Sequence, residues 1–401
     1  MAHGQHSGAI QNPGSLKVSS GFLAGLLVLG VAGIAVFIAG LSVDKARAWA
    51  SFLLNQFFFM GIALGSLFFV AVQTLSGATW NAPVRRVSEA LASYLPFVVV
   101  TFAVVFFGMH DLYHWTHPEF VAGDIVLEGK AGYLNQKFFM VRDSIAVVLW
   151  IIFARALVGN SLKQDTTKDA GLTAKNRTLS PIFLMIFAIS FTMVAFDQLM
   201  SLDPHWFSTM FGVYAFAGIF YSALAASALV LVYLKRRGML TGIVNENHMH
   251  DIGKFMFAFT VFWAYIGFSQ FMLIWYANLP EETGYMIKRM TSPWLSLSVF
   301  LLVGKFLVPF FFLMRRKAKR NDTILFYVAI FMLIAQWFDL AWIVQPEFFA
   351  TEGLKLGWIE LGMLAGFAGI FGFFVLRFLS KNNVVAIGDP GLEESVHHHH
   401  I

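Results

Sequence analysis

Asp197 stands near the end of an otherwise apolar run, residues 180–200. A polar knot, Ser201-Leu202-Asp203-Pro204-His205-Trp206, follows it before a second apolar run opens at Phe207. A carboxylate in an apolar helix costs about 3 kcal/mol at hydrocarbon depth, so in a membrane protein it marks a functional site by default and needs a partner. Asp203, His205 and Trp206 stand next to it in the chain like the mouth of a site. Proton transfer and hydrogen bonding to a polar head group are the chemistry that these residue types offer.

Similar residues recur at the same end of other apolar runs. One run closes on Gly108-Met109-His110-Asp111-Leu112-Tyr113-His114-Trp115-Thr116-His117-Pro118-Glu119, where His110 and His114 share a helical face at i, i+4. Another opens with Lys137-Phe138-Phe139-Met140-Val141-Arg142-Asp143, which puts Arg142 just inside its boundary. Gln270, Gln336, Asp339 and Glu360 fall at comparable depth in later runs. His114, Trp115 and His117 read as an interfacial aromatic belt. Asp197 and Arg142, with apolar neighbours, read as functional.

Lys305 is the other costly charge. It lies near the centre of SPWLSLSVFLLVGKFLVPFFFLM, residues 292–314, and the usual helical rise puts it about 15 Å from Arg315. That is too deep to snorkel, so it suits a proton relay or a buried pair with a carboxylate, and its spacing fits both equally. Pro309, four residues on, frees a carbonyl beside it. His248, His250 and Asp251 precede the seventh run. Asp197, Lys305 and His250/Asp251 would make a discontinuous proton path, with Gln270, Asp339, Glu360 and His248 as further stations.

The elements that position these residues follow from composition. The 401-residue chain is 58% hydrophobic and only 13% charged, with a mean hydropathy of +0.69. About a quarter of a soluble domain is charged, so this is an all-α polytopic membrane protein. Apolar windows long enough to cross roughly 30 Å of hydrocarbon fall near 20–40, 48–76, 89–109, 137–158, 180–200, 208–234, 255–278, 291–314, 323–344 and 356–379. Residues 1–19 and 381–401 remain as tails around a domain of residues 20–380. The first span is too long for a signal-peptide core and reads as a retained helix. The run His397–His400, followed by Ile401, receives no function.

Charge gives the orientation. Of the 28 Lys and Arg, about nineteen lie in the tails and the loops after even-numbered spans, about eight lie on the opposite side, and Lys305 is inside a span. The positive-inside rule then makes both termini cytoplasmic and turns Asp197 outward. The formal charge of +5 is loop-bound and one-sided, and does not point to nucleic acid. The chain has no cysteine, which removes disulfides, Cys-ligated iron–sulfur clusters and attached haem c. No histidine lies in the middle of a span, where a bis-imidazole haem would need one. The spacing of His110, His114 and His205 does not demand a metal.

The run from Phe196 to Tyr214 (FDQLMSLDPHWFSTMFGVY) resembles the NrfD-like, polysulfide-reductase-type membrane subunits of bacterial alternative complex III, and the second of the two such subunits in particular. The stretch His110 to Pro118, the Arg142 segment and Gly388-Asp389-Pro390 are also similar, as are length and span number. The resemblance implies two four-helix bundles, roughly 48–200 and 208–344, flanked by spans 20–40 and 356–379. It implies a subunit of a quinol:cytochrome c (or cupredoxin) oxidoreductase in the bacterial inner membrane, without a redox centre of its own. Quinol or menaquinol would be held near the periplasmic face. The iron–sulfur clusters and haem c would belong to partners: an iron–sulfur protein, a multihaem cytochrome c and the other NrfD-like subunit. His110, Asp111, Arg142, Asp197, Asp203, His205 and Trp206 would form either a quinol site or the outer gate of a proton path. An independent proton-coupled transporter or channel and a purely structural scaffold are the alternatives. No repeat between the two bundles is visible in the sequence.

Overall fold

A computed structural model describes residues 12–399, so residues 1–11 of the N-terminal tail and His400 and Ile401 lie outside it. The protein is all-α, with ten helices long and apolar enough to cross a membrane among the described residues. They are Ser20–Val43, Lys45–Leu75, Arg85–Phe107, Gln136–Thr167, Ala170–Leu202, Phe211–Arg236, Glu246–Ala277, Leu295–Met314, Asp322–Glu347 and Trp358–Lys381. Most connections are short, and the longer ones after the third and seventh spans fold into short helices of their own. The face that carries both described chain ends is called the terminal face here, and the other the far face.

Side-chain caps define the helix starts. Ser19, Asp44, Asn135, Asp169, Asn245 and Asn321 each accept a hydrogen bond from a backbone N–H in the first turn of the helix they open. The fourth and fifth helices reach about ten residues beyond their apolar windows at the terminal face. A hydropathy window stops at the first charges, whereas the helix continues until Lys168 turns left-handed (φ 51°) and Asp169 caps the next one. The polar connection before the fourth span folds into short helices, including Ile125–Lys130.

The second to fifth spans pack in a ring, and the sixth to ninth in another. The second and sixth spans are buried along most of their length and form the shared wall. Glycine permits this: a Cβ on Gly65 would lie 2.8 Å from the Ile219 carbonyl oxygen across the wall. The first and tenth spans cross at Gly33 and Gly366, where a Cβ on Gly33 would lie 2.5 Å from the Gly366 Cα. This outer pair leans on the second and third spans.

The segment after the tenth span returns across the terminal face. Val384 N–H donates to Gly14 O, Gly388 N–H to Asp165, and the Ser395 hydroxyl to Trp80 O. Asp389 pairs with Arg85 at 2.5 Å, and His398 lies 2.8 Å from Asp251.

Candidate functional site

Asp197 ends the fifth helix with its carboxylate fully buried, and Arg142 from the fourth span meets it edge-on. Arg142 Nε donates to Oδ2 at 2.8 Å and Nη2 to Oδ1 at 2.7 Å. The third arm of the guanidinium donates to Tyr133 O at 3.0 Å, and its carbon lies 3.8 Å from the Tyr133 ring and 4.2 Å from the Phe138 ring, which stand nearly perpendicular to each other. A bidentate fork with aromatic rings against the guanidinium is the geometry that only arginine supplies. Asp143, also fully buried, accepts from Gln198 Nε2 at 2.9 Å and lies within hydrogen-bonding reach of Asp197. Tyr113 donates to Gln198 O, fixing the turn. One guanidinium therefore faces two carboxyls.

A second buried pair lies in the other ring. Lys305 Nζ donates to Asp339 Oδ2 at 2.6 Å, and the Tyr214 hydroxyl donates to Oδ1. The ammonium rests over the Trp263 ring at 4.1 Å and the Tyr221 ring at 5.3 Å. Pro309 has no N–H to give to the Lys305 carbonyl four residues back. The helix widens to π form over Leu301–Leu307, and Tyr221 donates to that carbonyl at 3.3 Å. Such bulges recur at functional sites. Gln270 Nε2 and Gln336 Oε1 are buried in the same ring with no hydrogen-bond partner.

The polar knot after Asp197 does not gather around it. Asp203 lies 3.4 Å from Lys288, which also holds Glu347 at 2.5 Å. His205 pairs with Asp124 at 2.6 Å on the exposed surface, and the Asp124 carboxyl is held below its ordinary range, first by that bond and then by the Leu127 N–H. The Trp206 indole stacks on Tyr285 at 3.7 Å, and Arg289 covers that ring at 3.4 Å while pairing with Glu347. The linker thus fastens the two rings together at the far face. His110 is exposed and stacks on His117 at 3.7 Å, and Asp111 pairs with Lys45 at 2.7 Å.

Glu360 has its acceptors filled. Arg47 grips it at 2.6 Å through both Nε and Nη2, Ser51 donates at 3.2 Å, and the Gly357 N–H at 2.8 Å. It caps the tenth helix and ties it to the second. At the terminal face His248 closes a capping box with Asn245 and meets Ser395, while Asp251 lies between Lys254 and His398. His250 is half-buried beside them.

Asp143, Tyr133, Tyr214 and Trp263 are the site residues that sequence reasoning missed. Asp143 was visible as a second carboxylate in an apolar run, directly after Arg142. The aromatic residues carried no signal among 45 Phe, 11 Trp and 10 Tyr. Among the described residues no three His, Asp or Glu are grouped to hold a metal ion. No protein-family model matches the chain, and no curated protein matches it.

Proposed function

We propose that this chain is an NrfD-like membrane subunit of an alternative complex III, the quinol:cytochrome c (or cupredoxin) oxidoreductase of the bacterial inner membrane. In this reading it carries protons linked to quinol oxidation rather than binding the quinol itself. The observation behind it is the pair of buried carboxylate–cation centres, Arg142–Asp197 with Asp143 and Lys305–Asp339 with Tyr214. A hydrogen bond between two carboxyls needs a proton on one of them, so Asp143 and Asp197 form a place where one proton can be held and passed. Asp203 and His205 engage other partners, which leaves Asp197 without the second head-group contact a quinol site would need. Iron–sulfur clusters and haem c would reside in the partner subunits.

The test is Asp197→Asn in the assembled complex. The complex should still assemble, with quinol-dependent proton release or uptake reduced about tenfold or more. Unchanged turnover and proton stoichiometry would overturn the reading.

A further inference from the structure

An apolar groove of about 590 Å³ opens sideways between the rings and the outer helix pair, within the size range of ligand sites. It runs from Tyr233, Phe326 and Leu376 near the terminal face to Trp337 at mid-depth. Ala226, Ala368 and Gly372 recess its wall, so the space comes from small residues where neighbouring positions are large. The groove falls within the hydrocarbon layer, where an unbranched apolar chain is the complementary shape.

The mouth is cationic. The Arg236 guanidinium lies 4.5 Å from the Phe326 ring, and that of Arg237 lies 5.3 Å from Tyr233, both rings being part of the groove lining. Arg377 of the tenth helix is exposed and lies 5.5 Å from the Phe373 ring, on the face turned away from the groove lining. Lys235, their neighbour, is taken by Asp322 at 2.8 Å. Neither Arg236 nor Arg237 is in an ion pair among the described residues.

We propose that this groove is a retained binding site for an anionic phospholipid, with an acyl chain in the groove and the phosphate on Arg236 and Arg237. Basic clusters at the membrane end of an apolar recess recognise phosphate head groups, and arginine forks match phosphate oxygens. A quinone tail would fill the groove equally well, but its neutral head group gives the two arginines nothing to hold. A partner helix would have to bring carboxylates to the mouth.

The experiment uses the delipidated full chain, or the complex it purifies in, titrated with phosphatidylglycerol or phosphatidylcholine while thermal unfolding and bound lipid are followed. Phosphatidylglycerol should bind about tenfold more tightly. The Arg236→Gln/Arg237→Gln variant should lose that preference while keeping the lipid-free unfolding temperature. Ala368→Trp, which fills the groove, should lose binding of both lipids. Equal affinity for the two lipids, a preference that survives the arginine changes, or binding that survives Ala368→Trp would each overturn the proposal. A co-purifying quinone displaced by Ala368→Trp but indifferent to the arginine changes would assign the groove to the quinone instead.

Discussion

Asp197 and Asp339 are counterparts: each follows a phenylalanine on the last helix of its ring, and each is held by a cation from the helix before it. The two centres differ in grip. Arg142 holds Asp197 with a two-pronged fork, whereas Lys305 meets one oxygen of Asp339 and a phenol takes the other. Lysine is a point charge that can let go and reform, while an arginine fork is fixed. The second ring therefore has the more changeable centre.

Removing one partner of a buried pair leaves an uncompensated charge, at a cost of about 3–5 kcal/mol. Lys305→Met should destabilise the protein by that order, with Asp339→Leu restoring most of it in the double variant. A thermal-unfolding double-mutant cycle measures this. If the centre carries protons, the stable double variant remains inactive in proton movement.

Arg142→Lys keeps the charge at Asp197 but loses the fork, the bond to Tyr133 O and the guanidinium contacts with the Tyr133 and Phe138 rings. A loss of about 2 kcal/mol is expected from the bonds to charged groups, read as a lower unfolding temperature. Arg142→Gln should lose more. Equal stability of Arg142→Lys and the parent would show that the fork contributes nothing.

Orientation has a direct test because the chain contains no cysteine. His205→Cys, at an exposed far-face position, should react with a membrane-impermeant maleimide in spheroplasts. Lys317→Cys, between spans at the terminal face, should react only after lysis. The reverse pattern would invert the topology deduced from loop charge.

The Asp124–His205 pair contributes stability with a fixed pH sign. The Asp124 carboxyl is depressed in the folded protein, chiefly by His205, so its contribution is present above the unfolded carboxylate value of about 4 and disappears as pH falls through the folded one. The difference in unfolding temperature between the parent and Asp124→Asn should be constant near pH 5–6 and shrink as the pH is lowered below about 4.

Hydropathy made the ten spans legible, because backbone groups in hydrocarbon must be satisfied within helices. It also marked Asp197 and Lys305 as charges in need of partners. It left the partners open, since Arg142 and Asp339 lie 55 and 34 residues away in the chain and only packing brings them close. A two-residue match, Phe-Asp, is too short to announce a repeat, although the rings reuse it in the same place. The knot after Asp197 misled for a geometric reason: outside a regular helix, adjacent side chains diverge. Asp203, His205 and Trp206 consequently reach Lys288, Asp124 and Tyr285. Glu360 resembled a site residue because its partner Arg47 is 313 positions earlier.

The segment that follows the tenth span has a bearing on biogenesis. Its anchors, Arg85, Asp165 and Asp251, belong to the third, fourth and seventh helices, all made long before it. During synthesis those charges wait at the membrane surface with their last partner still untranslated. Closure of the terminal face therefore waits for the segment after the tenth span. A chain that stalls before residue 384 leaves Arg85, Asp165 and Asp251 without these contacts.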